Sequence, residues 1–308
     1  MKEKEDFKVV ENSTNELQMR IEEKYRDLSK GQKRVAEYVL DNYDKAVLLT
    51  AARLGEVVGV SESTVVRFAT QLGYKGYPEF QKALEELVRN RLNSIQRMKV
   101  TYGRISQSQI LETVLQSDIE KIKQTLNGID HLAFNQAIDT ILNARKIYVL
   151  GIRSCAPFAA FMSFYLNLLC DNVIAVNTNS SSEIFEQLIR IGEDDVIIGI
   201  SFPRYSQRTL KALEFASKRK AKIITLTDSV HSPINIYSSC NLIARSDMAS
   251  IVDSLVAPLS VVNALIVALC MKKQEEVIGT LETLEQIWGE YQVYSGDELN
   301  RIEDNSEV

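Results

Sequence analysis

The sequence predicts two domains, an all-α N-terminal domain and an α/β C-terminal domain built on a five-stranded, doubly wound parallel sheet flanked by helices. The chain has 308 residues, enough for about two domains. Apolar residues recur at helical spacing up to about residue 143. After residue 145, five short apolar runs alternate with helix-length segments. Runs that are apolar throughout indicate strands buried on both faces, as in a parallel sheet.

Changes in composition predict where the domains begin and end. We expect a flexible N-terminus over 1–18, a helix-turn-helix domain over 19–98, a linker over 99–108, an α/β domain over 109–290 and a flexible tail over 291–308. The first stretch is charged with little periodicity, and the linker is polar and carries Gly103. These boundaries separate a helical unit from a sheet-containing one.

The stretch Thr50–Gly73 (TAARLGEVVGVSESTVVRFATQLG) is typical of two short helices joined by a tight turn. Gly59 separates helices predicted over 51–58 and 62–72, because glycine takes the positive φ that ends a helix. Ser61 fits the N-cap of the second helix, where its hydroxyl would accept an orphan backbone amide. The predicted core of the pair consists of Leu54, Val57, Val60, Val65, Val66 and Phe68. This is the layout of a helix-turn-helix DNA reader, and a plain helical hairpin gives the same pattern.

Charge places the candidate DNA contacts on the second helix of this pair. The net charge is -5, so any attraction to DNA must be local. Basic residues outnumber acidic ones between Ser61 and Lys99, although a solvated helix face explains part of that excess equally well. We expect Arg67 to contact a base or the backbone, and Lys75 a phosphate. The candidate DNA-binding residues are Ser61, Ser63, Thr64, Arg67 and Lys75.

Five apolar runs define the predicted strands, at Lys146–Leu150, Val173–Val176, Val196–Ile200, Lys222–Leu226 and Asn241–Ala244. Helices are predicted between them as crossovers. The segment Val252–Met271 is a very apolar helix, expected to be buried or at a subunit interface.

Composition argues against several classes of protein. Hydrophobic residues make up 45% and charged residues 25%, as in soluble globular proteins. No uncharged apolar stretch is long enough to span a bilayer, and the N-terminus resembles neither a signal nor a transit peptide. The cysteines are too widely spaced for a zinc pattern: Cys155, Cys170, Cys240 and Cys270. We therefore expect reduced thiols in a cytoplasmic protein with no metal site and no cofactor.

Polar loops follow the strands at the end where open parallel sheets bind ligands. The loop after the first strand carries Gly151, Arg153 and Ser154 at a helix start, where backbone amides favour an anion. The loops after the next three strands add the other candidate effector residues, Ser180, Ser181, Ser201, Arg204, Ser206 and Asp228. Hydroxyls and amides suit phosphate, and Ser and Asp suit sugar hydroxyls, so a phosphorylated sugar is the expected ligand. A serine after a strand can also simply cap a helix. A dinucleotide site is disfavoured because the further glycines of G-x-G-x-x-G are absent.

Across nearly its whole length the chain resembles the RpiR-type bacterial transcriptional regulators, which join an N-terminal helix-turn-helix domain to a C-terminal SIS (sugar isomerase) domain. The resemblance rests on the stretches LSKGQKRVAEYVLDN, VGVSESTVVRFATQLGYKGYPEFQKAL, GIRSC, ISFPRYSQRTL and TLTDSVHSPI. It implies a homodimer or homotetramer that binds operator DNA and senses a sugar phosphate. Repression is the commoner mode in such families. Ser201 and Ser206 match the hydroxyl positions that hold phosphate in SIS domains.

Two loops depart from the pattern of SIS domains. Residues 151–155 read GIRSC instead of Gly-x-Gly-x-Ser, so either Ser154 or Cys155 takes the hydroxyl role. The Phe-Pro-Arg at 202–204 replaces smaller polar residues of the isomerase relatives, which indicates a sensor loop.

The alternative function is a sugar-phosphate isomerase with an accessory helical domain. Isomerisation needs a positioned general base, for which Glu183 and His231 are the only nearby candidates, and nothing in the sequence pairs them. We therefore expect a regulator and not an enzyme.

Overall fold

The structure is a computed structural model that describes residues 15–88, 94–95, 97–98, 109–246 and 252–294. Its N-terminal part is helical: α1 (Asn15–Lys24), α2 (Lys30–Asp41), α3 (Tyr43–Ala46), α4 (Ala51–Val58), α5 (Glu62–Gln71) and α6 (Tyr77–Val88). Residues 94–95 and 97–98 are also helical.

The prediction of a flexible N-terminus over 1–18 is wrong for its last four residues. Helix α1 begins at Asn15, because Leu17 and Ile21 turn inward and are 6% and 0% exposed in the helical core. Residues 1–14 lie outside the described residues, as do the predicted linker over 99–108 and the tail from 295 onward. The first part of that predicted tail is described, and Tyr294 packs edge-on against Trp288 with ring centroids 5.4 Å apart.

Helices α2 to α6 pack around one apolar cluster. Phe68 of α5 and Phe80 of α6 are fully buried, and their rings meet edge to face at 5.5 Å. Such a contact adds about 1 kcal/mol to the burial of the two rings. The cluster therefore fixes α5 against the rest of the domain and leaves its opposite face in solvent.

Side-chain hydrogen bonds cap the starts of α2 and α4. Ser29 and Gln32 form a reciprocal capping box at the start of α2. The Thr50 hydroxyl accepts a hydrogen bond from the Arg53 amide at the start of α4, with N and O 3.2 Å apart. The short helix α3 follows α2 directly and starts at Tyr43.

The second domain is a parallel sheet with helices on both faces. Its strands are β1 (Lys146–Gly151), β2 (Val173–Val176), β3 (Asp195–Ile200), β4 (Lys222–Thr227) and β5 (Cys240–Ile243). They lie in the order β2-β1-β3-β4-β5 and all pair in parallel. The helices are α7 (Ile110–Gly128), α8 (His131–Leu142), α9 (Ala156–Leu169), α10 (Ser181–Leu188), α11 (Gln207–Lys218), α12 (Val256–Lys272) and α13 (Gln274–Glu290).

Successive side chains of the strands point to opposite faces of the sheet and pack into two separate hydrophobic cores. Ile147 and Val149 of β1 pack with α8, α9 and α12 on one face. Tyr148 and Leu150 pack with α10 and α11 on the other. This three-layer arrangement confirms the predicted fold class and brings the carboxyl ends of the strands to one edge.

The apolar helix α12 begins at Val256, four residues after its predicted start. Residues 252–255 stay outside the helix, and Pro258 occupies its first turn, where a missing amide costs least. Among the described residues, no single helix is long and apolar enough to span a bilayer. Helices α12 and α13 pass this test only when taken together, and the chain bends by 99° between them.

Candidate functional sites

The turn between α4 and α5 is held by two glycines. Gly59 ends α4 with φ 68°, the left-handed conformation expected of it. Gly55 lies where a Cβ atom would come within 2.7 Å of the Val60 carbonyl oxygen. Helices α4 and α5 therefore approach so closely that no side chain fits at position 55. Arg34 of α2 donates to the Gly59 carbonyl oxygen at 3.0 Å and closes the turn from outside.

Helix α5 turns one continuous face to solvent. Ser63, Val66, Arg67 and Thr70 are exposed and lie three or four residues apart, so they share a side of the helix. The buried side consists of Val65, Phe68, Ala69 and Leu72. A helix with this division can lie in the major groove with its exposed side chains against base edges.

The placement of Val57 and Val66 in the predicted core is wrong. Val57 is 47% and Val66 36% exposed, because neither lies on the buried side of its helix. Val66 is a candidate contact that the sequence interpretation missed, since apolar side chains at a helix-groove contact meet thymine methyl groups. Its spacing of three from Ser63 could have identified it.

The predicted role of Ser61 is only partly right. Ser61 holds the N-cap position of α5, but its hydroxyl makes no bond to a backbone amide. The Ser61 hydroxyl oxygen instead lies 2.9 Å from those of Ser63 and Thr64. Three hydroxyls thus cluster at the start of α5, a group well suited to a phosphate or base edge.

Lys75 follows α5 on an exposed turn. Gly73 takes φ 92° there, and the backbone amide of Lys75 donates to Glu79 at 2.5 Å. The side chain of Lys75 is exposed beside the start of α6. This placement keeps its ammonium group available to a phosphate.

The loops after β1 and β3 begin side by side. Gly151 and Ile200 are paired in register, and β2 and β4 lie on opposite sides of this pair. The chain reverses its winding direction at this point, which is where doubly wound sheets bind ligands. A Cβ atom at Gly151 would lie 2.4 Å from the Cys155 carbonyl oxygen, so only glycine allows the first loop to turn back this tightly.

Two arginines stand at this edge in the same backbone conformation. Arg153 has φ 60° and Arg204 has φ 63°, and both side chains are exposed. Left-handed φ in a residue with a Cβ costs roughly 1 kcal/mol or more. Lys220 and Gln292 also have positive φ away from this edge, so the conformation alone does not identify a functional residue.

Ser201 and Ser206 lie close together in the third loop. Ser201 is 3% exposed, and its hydroxyl oxygen accepts from the Ser206 amide at 3.2 Å. The Ser206 hydroxyl caps α11 by accepting from the Thr209 amide at 3.4 Å. Both serines therefore shape the loop, and their hydroxyl protons remain as potential donors to an anion.

In the first loop Ser154 is exposed, whereas Cys155 is buried at 6% exposure. Burial raises the pKa of the Cys155 thiol to about 11, with a smaller contribution from the nearby charge of Asp253. Cys155 is thus a neutral thiol at ordinary pH, packed below the loop. This placement favours Ser154 as the hydroxyl that faces a ligand.

The second and fourth loops complete the edge. Ser180 holds the N-cap position of α10, but its hydroxyl accepts no hydrogen bond from a backbone amide of that helix. The hydroxyl oxygen of Ser180 lies 2.9 Å from that of Ser182, and Ser181 is exposed beside it. Asp228 is 9% exposed and accepts from the Tyr205 hydroxyl at 2.9 Å. Asp228 therefore ties the fourth loop to the third.

The two candidate general bases follow β2 and β4, which are not neighbours in the sheet. Glu183 accepts a hydrogen bond from the Thr178 hydroxyl, next to the start of α10. His231 is exposed, in the turn after β4. The strand order therefore gives no pairing of the two side chains as acid and base.

Comparison with known proteins assigns both domains. Residues 15–91 match the helix-turn-helix domain of the rpiR family, and residues 140–268 match the SIS domain. An uncharacterized HTH-type transcriptional regulator of Clostridium perfringens is 26% identical over 215 residues, or 70% of this chain and 76% of the relative. The HTH-type transcriptional regulator HexR of Escherichia coli is 23% identical over 219 residues, which are 68% of this chain and 71% of HexR.

Two solved structures share the fold. The sugar isomerase domain of an RpiR transcription factor from Sphaerobacter thermophilus is 28% identical, with a TM-score of 0.55, and covers 58% of this chain and 99% of that one. The Vibrio vulnificus NanR protein complexed with ManNAc-6P is 22% identical, with a TM-score of 0.54, over 88% of this chain and 97% of that one.

An exposed helix in a helix-turn-helix pair and an α/β domain with hydroxyl- and arginine-bearing loops at its strand ends are the two parts of a helix-turn-helix regulator with a SIS domain. The two family matches together cover more than half of the chain. The chain belongs to the RpiR-type transcriptional regulators, with an rpiR-family helix-turn-helix domain followed by a SIS domain.

Proposed function

We propose that this chain is a repressor of carbohydrate metabolism genes, acting in the cytoplasm, whose affinity for operator DNA changes when a phosphorylated sugar binds the SIS domain. The observation that carries the proposal is the hydroxyl-rich, arginine-bearing crevice at the β1–β3 edge in the same chain as an exposed reading helix. The NanR relative, of the same fold, is complexed with a sugar phosphate, which supports that ligand class.

The proposed DNA contacts are the exposed residues of α5 and the turn after it. Arg67 is the central one, since a guanidinium can bond a guanine edge or a phosphate. The hydroxyls of Ser61, Ser63 and Thr64 and the ammonium group of Lys75 flank it.

The proposed effector contacts are the loop residues at the strand ends. Ser154, Ser201 and Ser206 supply hydroxyls with the amides of two helix starts, and Arg153 and Arg204 supply positive charge. Gly151 provides the close turn, while Ser180, Ser181 and Asp228 lie toward the sugar.

The DNA half of the proposal is tested with an operator selected from random duplexes by the full chain. We expect Arg67→Ala to abolish operator binding in a gel-shift titration without changing the circular dichroism spectrum. Arg190→Ala, an equal charge loss at an exposed site on the SIS domain, serves as the control and should bind as the wild type does. Unchanged affinity of Arg67→Ala would refute the placement.

The effector half is tested by a thermal-shift panel of hexose, pentose and amino-sugar phosphates. A ligand at about 100 times its dissociation constant adds about 2.7 kcal/mol of stability. We expect one class of these sugar phosphates to raise the melting temperature of the chain. Ser154→Ala should reduce that rise, and Ser217→Ala on α11 should leave it unchanged. Turnover of the same compounds would favour the isomerase alternative instead.

A further inference from the structure

Two residues at the end of the predicted helix-turn-helix domain over 19–98, beyond the part that matches the rpiR family at 15–91, contact the SIS domain. Ser94 and Arg97, here called the connector residues, are helical and three residues apart, so they share one side of a helical turn. Their partners lie more than a hundred residues away in the SIS domain. The contact therefore joins the two functional halves of the chain directly.

Arg97 makes a buried ion pair with Asp253. Its two terminal nitrogens donate to the two carboxylate oxygens at 3.2 Å and 3.1 Å. The side chains are 3% and 16% exposed, respectively. A bidentate pair at this depth is strongly orientation-dependent, and removing one partner leaves an uncompensated charge.

The Asp253 carboxylate is held by Arg97, and its charge makes a minor contribution to raising the pKa of the Cys155 thiol in the first loop. A carboxylate near a phosphate opposes the binding of that phosphate. Arg97 offsets the charge of Asp253, so the pair makes the neighbouring loop more compatible with an anion.

Ser94 touches the third effector loop. The Arg204 guanidinium donates to the Ser94 hydroxyl oxygen at 3.2 Å. A guanidinium has five N–H donors, so the same arginine can bond Ser94 and a phosphate oxygen together. The Ser94 contact thus ends on a candidate effector residue of the third loop.

The geometry points to the connector residues as one side of the effector site: an anionic effector is held partly by Arg204, next to an Arg97–Asp253 pair that carries no net charge, and its binding stabilises the connector residues against the SIS domain. The inference rests on the proposed effector site and adds how that site reaches the DNA-binding domain. Linkage makes the effect reciprocal, because a connector that favours the effector when docked is itself held docked by the effector.

The first test measures binding of inorganic phosphate to the full chain by calorimetry. We expect Arg97→Gln to weaken phosphate binding roughly tenfold, because Asp253 then loses the positive charge of its bidentate partner. The double variant Arg97→Gln/Asp253→Asn keeps a neutral, similarly shaped pair and should recover most of the affinity. It also guards against a folding defect in the single variant.

The matched control is the Arg145–Asp195 pair at the opposite end of the same sheet. It is likewise bidentate, with N–O distances of 3.0 Å and 2.8 Å, and lies far from the crevice loops. Arg145→Gln should leave phosphate affinity unchanged.

The second test follows hydrogen exchange of a peptide that contains Ser94 and Arg97, with and without phosphate. We expect phosphate to slow exchange there in the wild type. Equal phosphate affinity of Arg97→Gln and wild type, or no change in connector exchange on saturation, overturns the inference while leaving the proposed function standing. A wild-type chain that binds neither phosphate nor any sugar phosphate overturns both.

Discussion

Single residues fix the close approaches on which both surfaces depend. Gly55 and Gly151 lie where a Cβ atom would meet a carbonyl oxygen at 2.7 Å and 2.4 Å, one at the helix-turn-helix turn and one at the loop after β1. Each is a site where only the absence of a side chain permits the backbone path. Substitution at either should therefore act through the backbone.

Gly55→Ala should destabilise the helix-turn-helix domain by about 1–3 kcal/mol, because α4 and α5 must separate to admit the methyl group. The measurement is urea unfolding followed in that domain. Gly76→Ala is the control, since a Cβ atom there meets its nearest neighbour at an ordinary 3.7 Å. Equal stability of the two variants would show that α4 and α5 are less tightly packed than described.

The buried thiol of Cys155 should make the free energy of unfolding depend on pH. Its pKa is raised to about 11 in the folded chain from an ordinary value of 9.0. Between these values the unfolded chain loses the proton more readily, so the free energy of unfolding falls as pH rises. The thiol's contribution to this loss is on the order of 2 kcal/mol.

Cys155→Ala should remove that contribution. Near neutral pH the variant should be less stable than the wild type, because the smaller side chain leaves a cavity in the core. Its deficit relative to the wild type should shrink steadily as the pH of urea unfolding is raised toward the folded pKa. A constant deficit across the alkaline range would contradict the burial of a neutral thiol.

At the scale of elements, the periodicity of α7 separates what sequence can and cannot predict. Its apolar residues recur at helical spacing, so the presence of the helix can be predicted from the sequence. Leu111, Leu115, Ile119, Ile122 and Leu126 form an exposed apolar stripe, from 38% to 69% exposed. Sequence could not say which apolar residues face inward, because that depends on where the helix lies on the sheet. The same limit explains the wrong placement of Val57 and Val66.

Leu115→Glu should disrupt self-association of the chain, because a charge in the middle of an apolar interface is poorly solvated there. Light scattering after size-exclusion chromatography measures the mass. Glu120→Gln, on the same helix but off the stripe, is the control. A wild-type chain that runs as a monomer would remove the basis for the expected homodimer or homotetramer.

At the scale of the whole molecule, the two-domain plan, the strand positions and the loop chemistry were predictable from local pattern. Apolar runs identify buried strands, and parallel pairing then gathers their carboxyl ends. The contact of Ser94 and Arg97 with the SIS domain was not predictable, since it joins residues over a hundred positions apart. No local pattern carries that information.

Operator binding should weaken as salt rises, because each neutralised phosphate releases counterions. Lys75→Gln should lower the slope of log affinity against log salt by about 1. Fluorescence anisotropy with a labelled operator across a potassium chloride series measures the slope. Lys222→Gln carries the same charge change at the far end of the sheet and should leave the slope as in the wild type. An unchanged slope in Lys75→Gln would place that ammonium group away from the DNA.

Arg153 and Arg204 have left-handed backbone conformations that lower stability, while their side chains lie at the proposed effector site. Glycine at position 153 or 204 would relieve φ angles of 60° and 63° and raise the melting temperature, while deleting a guanidinium from the crevice rim. A laboratory selection for heat resistance alone should therefore enrich glycine at both positions. Under the proposed function, the selected chains would lose their response to a sugar phosphate.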